Sequence, residues 1–118
     1  KEIEFVVARN EKLALDHVLN YPNPFAKSTT FFFDHNQAGN EPDNLDVQVQ
    51  IFTVTGRLVR TLTATVSSTE SHQRSITWNG RDEYDDQLAR GVYVYRLNVR
   101  SLRNGTTASK YEKLVILN

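Results

Sequence analysis

Few residues of this 118-residue chain have the types or spacing for catalysis. His17, His35 and His72 are scattered and lack the H-x-x-x-H spacing of a zinc site. No G-x-S-x-G element supplies a strained nucleophile, and no base lies at a fixed offset from a serine. Cysteine is absent, which excludes disulfides, thiolate chemistry and Cys-ligated metals. The acidic run Asp82, Glu83, Asp85 and Asp86 invites a calcium reading. It lacks the alternating ligands and central glycine of an EF-hand, so a solvated loop is expected. Gly56, Gly80, Gly91 and Gly105 lie too far apart to cradle a phosphate. Asn104-Gly105-Thr106 fits a glycosylation sequon, but a turn explains it equally well. No enzyme activity and no cofactor are expected.

Charge is balanced, with 14 Lys and Arg against 14 Asp and Glu, which argues against nucleic acid as a partner. Arg57, Arg60, Arg74, Arg81, Arg90, Arg96, Arg100 and Arg103 could form a patch for an acidic partner such as an anionic lipopolysaccharide. Ordinary solubilising charge explains them more simply. No apolar run approaches the roughly 20 residues needed to span a bilayer. The chain begins at Lys1 and shows no signal-peptide core, so it is expected to be a piece of a longer protein.

The elements that position these residues read as strands. Val, Ile and Thr supply 27 residues, and period-2 alternation replaces helical spacing. Ile3, Phe5 and Val7 alternate with Glu4, Val6 and Ala8. Leu13, Leu15, Leu19 and Tyr21 share one parity, as do Val47, Val49 and Ile51. Tyr93, Tyr95, Leu97 and Val99 form the longest stripe, opposite a wet face of Arg96, Asn98 and Arg100. Phe31, Phe32 and Phe33 occupy both faces of one strand, so one face meets solvent or a neighbour unless both are covered. Thr55-Gly56 joins a strand at 46–54 to one at 57–65. Asn104-Gly105 predicts a two-residue type I′ hairpin. That turn sets Tyr93 opposite Ile116, Tyr95 opposite Leu114 and, awkwardly, Leu97 opposite Glu112, unless a bulge shifts the register. Residues 36–44 and 67–71 read as loops. Seven or eight strands with such connections predict an all-β, immunoglobulin-like Greek-key antiparallel sandwich. Residues 1–12 form a linker or the end of a preceding domain, and 13–118 form the sandwich.

Two motifs go beyond generic sandwich sequence. The first is Tyr21-Pro22-Asn23-Pro24-Phe25, followed by Ser28-Thr29-Thr30-Phe31. The second runs from Trp78-Asn79-Gly80-Arg81-Asp82-Glu83 through Leu88-Ala89-Arg90-Gly91-Val92-Tyr93 to Lys113-Leu114-Val115-Ile116-Leu117. Pro22 and Pro24 remove two ladder donors, so the chain must leave a strand or follow an edge there, and Asn23 favours a turn. Trp78 should plug the core, with its indole N–H needing an acceptor. Gly80 and Gly91 allow tight backbone at the two ends of a loop in which Asp82 can accept N–H groups.

In this order the motifs resemble the C-terminal sorting domains of the Bacteroidetes type IX secretion system and the related module of the flagellar hook-capping protein. The resemblance implies a non-catalytic module read by the outer-membrane translocon. It implies export through the periplasm to the outer membrane and cell surface. It further implies removal by a surface sortase, with the cargo passed to anionic lipopolysaccharide. The signal is expected in the last strand: Lys110, Lys113, Leu114, Val115, Ile116, Leu117 and Asn118. Strand addition is a natural means of reading it. Asn118 departs from the terminal Lys or Arg common in cargo. A retained domain of a secretion-apparatus component, such as the sortase itself, is therefore an alternative. A spacer or adhesin-like module packed on an upstream domain of the same chain is another. Carbohydrate binding has only Tyr84 in its favour.

Overall fold

The computed structural model describes residues 12–38 and 43–117. The strand expected at Lys1–Arg9, the linker residues Asn10 and Glu11, and Asn118 lie outside the described residues. Seven strands are present: β1 Leu15–Tyr21, β2 Thr29–His35, β3 Asn44–Thr53, β4 Leu58–Ser67, β5 His72–Trp78, β6 Gly91–Ser101 and β7 Thr107–Ile116. They form two antiparallel sheets, ordered β1-β2-β5 and β4-β3-β6-β7. The connections β2–β3, β4–β5 and β5–β6 cross between sheets, giving the all-β Greek-key sandwich of the immunoglobulin-like kind.

Alternation decides which face each strand buries. Val47, Val49 and Ile51 of β3 pair with Val99, Leu97 and Tyr95 of β6, and all six are fully buried. Phe31 and Phe33 project from β2 into the same core, and the Phe31 ring meets Tyr95 edge-on at 4.8 Å. Phe32 points the other way and lies beneath the Arg74 guanidinium, 5.6 Å from its ring centroid. Both faces of the Phe31–Phe33 run are therefore covered, one by the core and one by a single cation.

Three local expectations are corrected. Leu13 is buried, but Leu19 and Tyr21 are exposed, and Asn20 is buried instead. The cause is a bulge between Asp16 and Leu19, with His17 at φ 51°, which moves the rest of β1 to the opposite parity. The β6–β7 register differs by two residues from the two-residue-turn expectation: Tyr93 faces Leu114, Tyr95 faces Glu112, Leu97 faces Lys110 and Gly91 faces Ile116. The turn is a longer one, closed by bonds from Gly105 N–H to the Ser101 carbonyl (2.8 Å) and from Ser101 N–H to the Thr106 carbonyl (2.9 Å). Only Gly105 has positive φ there, so the type I′ geometry is absent. At the other hairpin, Thr55-Gly56 turns the chain as expected, with β3 and β4 ending at Thr53 and starting at Leu58.

Four buried side-chain atoms among the described residues lack a hydrogen-bond partner, and one of them, on Tyr95, lies in the apolar core. The Tyr95 hydroxyl is buried with no hydrogen-bond partner, and burial pushes its pKa up. A buried donor without a partner costs about 1–3 kcal/mol. Tyr95→Phe removes that group while keeping the ring against Phe31. We predict that it raises stability by about 1 kcal/mol in urea denaturation; a loss of similar size would show that the hydroxyl is bonded in solution.

Candidate functional site

The quoted motifs meet at one end of the sandwich, around the end of β7. After Tyr21 the chain leaves the three-stranded sheet through Pro22 and Pro24, both following cis peptide bonds, and reaches the outer edge of β7. Four successive edge groups of β7 are then filled. The Asn23 amide donates to the Lys113 carbonyl (3.2 Å), and its oxygen accepts the Val115 N–H (3.0 Å). Phe25 N–H donates to the Val115 carbonyl (3.0 Å), and Leu117 N–H donates to the Phe25 carbonyl (2.8 Å). The Asn23 side chain thus behaves as a peptide group would, one position ahead of a real backbone pair. The return into β2 is fixed by Thr29, whose hydroxyl donates to the Pro22 carbonyl (2.8 Å) and accepts from the Asn20 amide (3.1 Å).

Phe25 anchors this segment from the inside. Its ring is buried, 5.8 Å from the Trp78 ring, and it also fills the space beside Gly80. A Cβ on Gly80 would come within 3.4 Å of that ring and 3.2 Å of the Gln87 amide, and Gly80 has φ +80°. Both facts require glycine there. Trp78 is buried and donates its indole N–H to the Arg81 carbonyl (2.9 Å). Arg60 of β4 donates to that same carbonyl and to the Asp82 carbonyl (3.1 and 2.8 Å).

The loop after Trp78 is built around Asp82. One carboxylate oxygen accepts the N–H groups of Tyr84 and Asp86, both at 2.9 Å. Asp82 N–H donates to the Asp86 carbonyl, and Arg81 donates to the Asp85 carbonyl (2.8 Å). Among the described residues, no group of three or more His, Asp or Glu side chains is placed to hold a metal ion. The loop ends at Gly91, where Tyr93 donates its hydroxyl to the Ala89 carbonyl four residues back (2.7 Å). That is the tyrosine-corner device of immunoglobulin-like sandwiches.

The expected signal residues divide by face. Leu114 and Ile116 are fully buried, Val115 is half-buried on the outer face, and Leu117 is 47% exposed. Lys113 shares the outer face with Val115, whereas Lys110 lies on the inner parity, opposite Leu97. The two lysines therefore do not form one charged group. Nor do the eight arginines gather into a single patch. Arg60 and Arg81 serve loop carbonyls, Arg74 covers Phe32, and Arg100 pairs with Asp46 at 3.5 Å.

Strand pairing joins two of the scattered histidines. Asp34 of β2 lies between β1 and β5, and its carboxylate accepts from His17 Nδ1 (2.8 Å) and His72 Nδ1 (2.6 Å). No local sequence signal links positions 17, 34 and 72; only the strand order does. His35, next along β2, is buried. Its Nε2 donates to the Glu70 carbonyl (2.7 Å), and its Nδ1 accepts the Gln37 N–H (3.1 Å). Sequence reasoning also missed the roles of Phe25, Thr29 and Arg60. The Asn-Pro spacing was the one available signal for Asn23 as an edge partner.

With this geometry established, comparison with known proteins gives a consistent answer. The family model for the secretion system C-terminal sorting domain matches residues 20–116. The chain belongs to that family, the C-terminal sorting domains of type IX secretion. Among solved structures it is similar to dimeric latent PorU from Porphyromonas gingivalis, at 30% identity and a TM-score of 0.73. The match covers 91% of this chain and 10% of the PorU chain. A Bacteroides uniformis beta-glucuronidase also aligns, at 12% identity and a TM-score of 0.49, over 87% of this chain and 13% of that one. No curated protein sequence matches the chain. Membership implies a non-catalytic module and export toward the outer membrane or cell surface. No helix among the described residues is long and apolar enough to cross a membrane.

Two predictions follow from the site. Asn23→Ala opens the Lys113–Val115 edge. It should cost about 1 kcal/mol and abolish slow hydrogen exchange at the Val115 amide while sparing the β3–β6 ladder. Unchanged protection of Val115 would remove Asn23 from its edge role.

The histidines should titrate apart. The hydrogen bond to Asp34, then the Asp34 charge, raise His72 above 6.5, while burial lowers His35 below 6.5. The His72 bond, chiefly, lowers Asp34 below 3.8. The His72 contribution is complete below pH 6.5 and is lost as pH rises through its raised folded value. The Asp34 contribution is present above pH 3.8 and is lost as pH falls through its lowered value. His35 opposes acid: the unfolded chain takes up its proton first, so stability falls as pH drops below 6.5. NMR titration should show His72 above His35, and Asp34→Asn should return His72 toward 6.5. A His72 value that ignores Asp34→Asn would contradict the pairing.

Proposed function

We propose that residues 13–118 act as the folded sorting domain of a larger exported protein and that the outer-membrane type IX machinery reads the end of β7. The observation that carries this reading is the division of the last strand within a member of this family. Leu114 and Ile116 hold the fold, while Val115 and Leu117 face outward from a strand whose backbone edge is already filled. Outward apolar residues in a fixed conformation suit a partner that reads side chains. The filled edge disfavours strand addition over Lys113–Leu117, because Asn23 and Phe25 occupy the bonds an added strand would need. In this reading the chain crosses the periplasm folded or folds before recognition, and machinery components are its partners.

Two fates remain after translocation: removal by a sortase, or retention as the end of a larger surface protein. The likeness to PorU fits a module within a much longer chain, since the match there spans 10% of that chain. Hand-over to anionic lipopolysaccharide belongs to the first fate only.

The test is a reporter fused to this chain in a type IX-competent cell. Deleting residues 113–118 should leave the reporter in the periplasm while the intact fusion reaches the surface. Val115→Asp, checked for a retained melting transition, should do the same without removing core residues. Normal surface delivery of both variants would reject the reading.

A further inference from the structure

The outward residues of β7 are one margin of a wider apolar surface on the four-stranded sheet. In one cross-strand row Leu58 faces Phe52, Phe52 faces Val94, and Val94 faces Lys113. In the next, Val92 faces Val115. Val54, in the turn after β3, and Leu117 extend the surface at its end. Leu58 is 46% exposed, Val92 48% and Val54 68%. Further along the same face the character changes to Gln48, Gln50, Thr61, Thr63 and Asn98, as a solvated sheet face requires. The apolar end is thus confined to the part of the sheet that carries the last strand.

The charge beside it is mostly basic. Arg90 lies two residues before Val92, and Lys113 is the partner of Val94. The next row adds Arg96 opposite Gln50. No Asp or Glu occupies these rows; Glu83 reaches the sheet only at the β4 edge, where it accepts the Thr61 N–H at 2.8 Å.

We infer that this surface, spanning β3, β4, β6 and β7, docks a folded protein partner with an apolar centre and an acidic rim. The inference rests on the sorting reading and extends it from one strand to a four-strand face. Like charge argues against a second copy as occupant, because a two-fold contact would place Arg90, Arg96 and Lys113 against their equivalents. A lipid surface suits it less well. The chain is neutral overall, the few basic groups give only weak attraction to anionic headgroups, and the short side chains lie flat on a rigid sheet. A protein with matching acids gains from both the apolar centre and the rim.

The test leaves β7 intact. Leu58→Ser with Val92→Ser, and separately Arg90→Glu with Arg96→Glu, are made in the reporter fusion. Each pair should lower the surface-delivered fraction about tenfold, as loss of a hot spot does, with the melting transition retained. The Glu pair guards against a folding artefact in the Ser pair, because it removes no apolar side chain. Wild-type delivery of both variants, when deletion of residues 113–118 blocks export, overturns the docking surface and leaves the sorting reading standing. Wild-type delivery of the deletion as well rejects the sorting reading itself. Two measurements on the purified chain examine the other occupants. Flotation with phosphatidylglycerol vesicles that is lost in the Ser pair would assign the face to lipid. A sedimentation dimer lost in that pair would assign it to a second copy. Either result overturns the inference.

Discussion

A sandwich leaves one edge of each outer strand without partners, and β7 would expose that edge along its most apolar stretch. The chain closes it with a segment borrowed from the other sheet. Phe25 makes this possible because its backbone and its ring work in different places. The backbone pairs with Val115 and Leu117, and the ring sits inside against Trp78 and Gly80. Asn23 extends the pairing by one position with an amide in place of a peptide. Removing the ring would release the backbone pair, and opening the pair would expose the ring. The two sheets are coupled at this point by one residue.

Trp78, Gly80 and Asp82 follow from that coupling. Trp78 supplies the surface on which Phe25 rests, and its indole N–H ties the core to the Arg81 carbonyl at the start of the loop. Arg60 reaches the same carbonyl from β4, so the loop is held from both sheets. Asp82 then folds the loop on itself, and Tyr93 fastens its far end to Ala89. The acids that first suggest calcium are partly engaged in turning the backbone. The loop's order rests on N–H groups, carbonyls and two arginines.

Much of this was legible in the sequence, and the rest has identifiable physical causes. The β3 and β6 stripes could be read because both strands are long, regular and buried on one face, so period 2 survives over their length. The β1 stripe misled because one residue, His17, sits in a bulge and reverses every side chain after it. The β6–β7 register misled because Asn104-Gly105 fits a two-residue turn, whereas the loop takes more residues and needs positive φ only at Gly105. Leu97 against Glu112 was the local sign of that error. The His17–Asp34–His72 cluster and the apolar rows from Leu58 to Val94 arise from strands far apart in the chain. Only the sheet order brings them together.

The four apolar residues Leu114 to Leu117 are separated by parity. Leu114 and Ile116 belong to the core; Val115 and Leu117 belong to the outside. An unfolded tail would show all of them at once and fix none in orientation. In the folded domain the inner pair is hidden, the edge is bonded, and Val115 of the outer pair is aligned with Val92 on the neighbouring strand. A partner that reads this face therefore discriminates folded from unfolded chains without a separate checking step. The outer face there is an exposed apolar surface with basic residues beside it. The motifs that tie this short segment down lie far from it in sequence, at Asn23, Phe25 and Trp78.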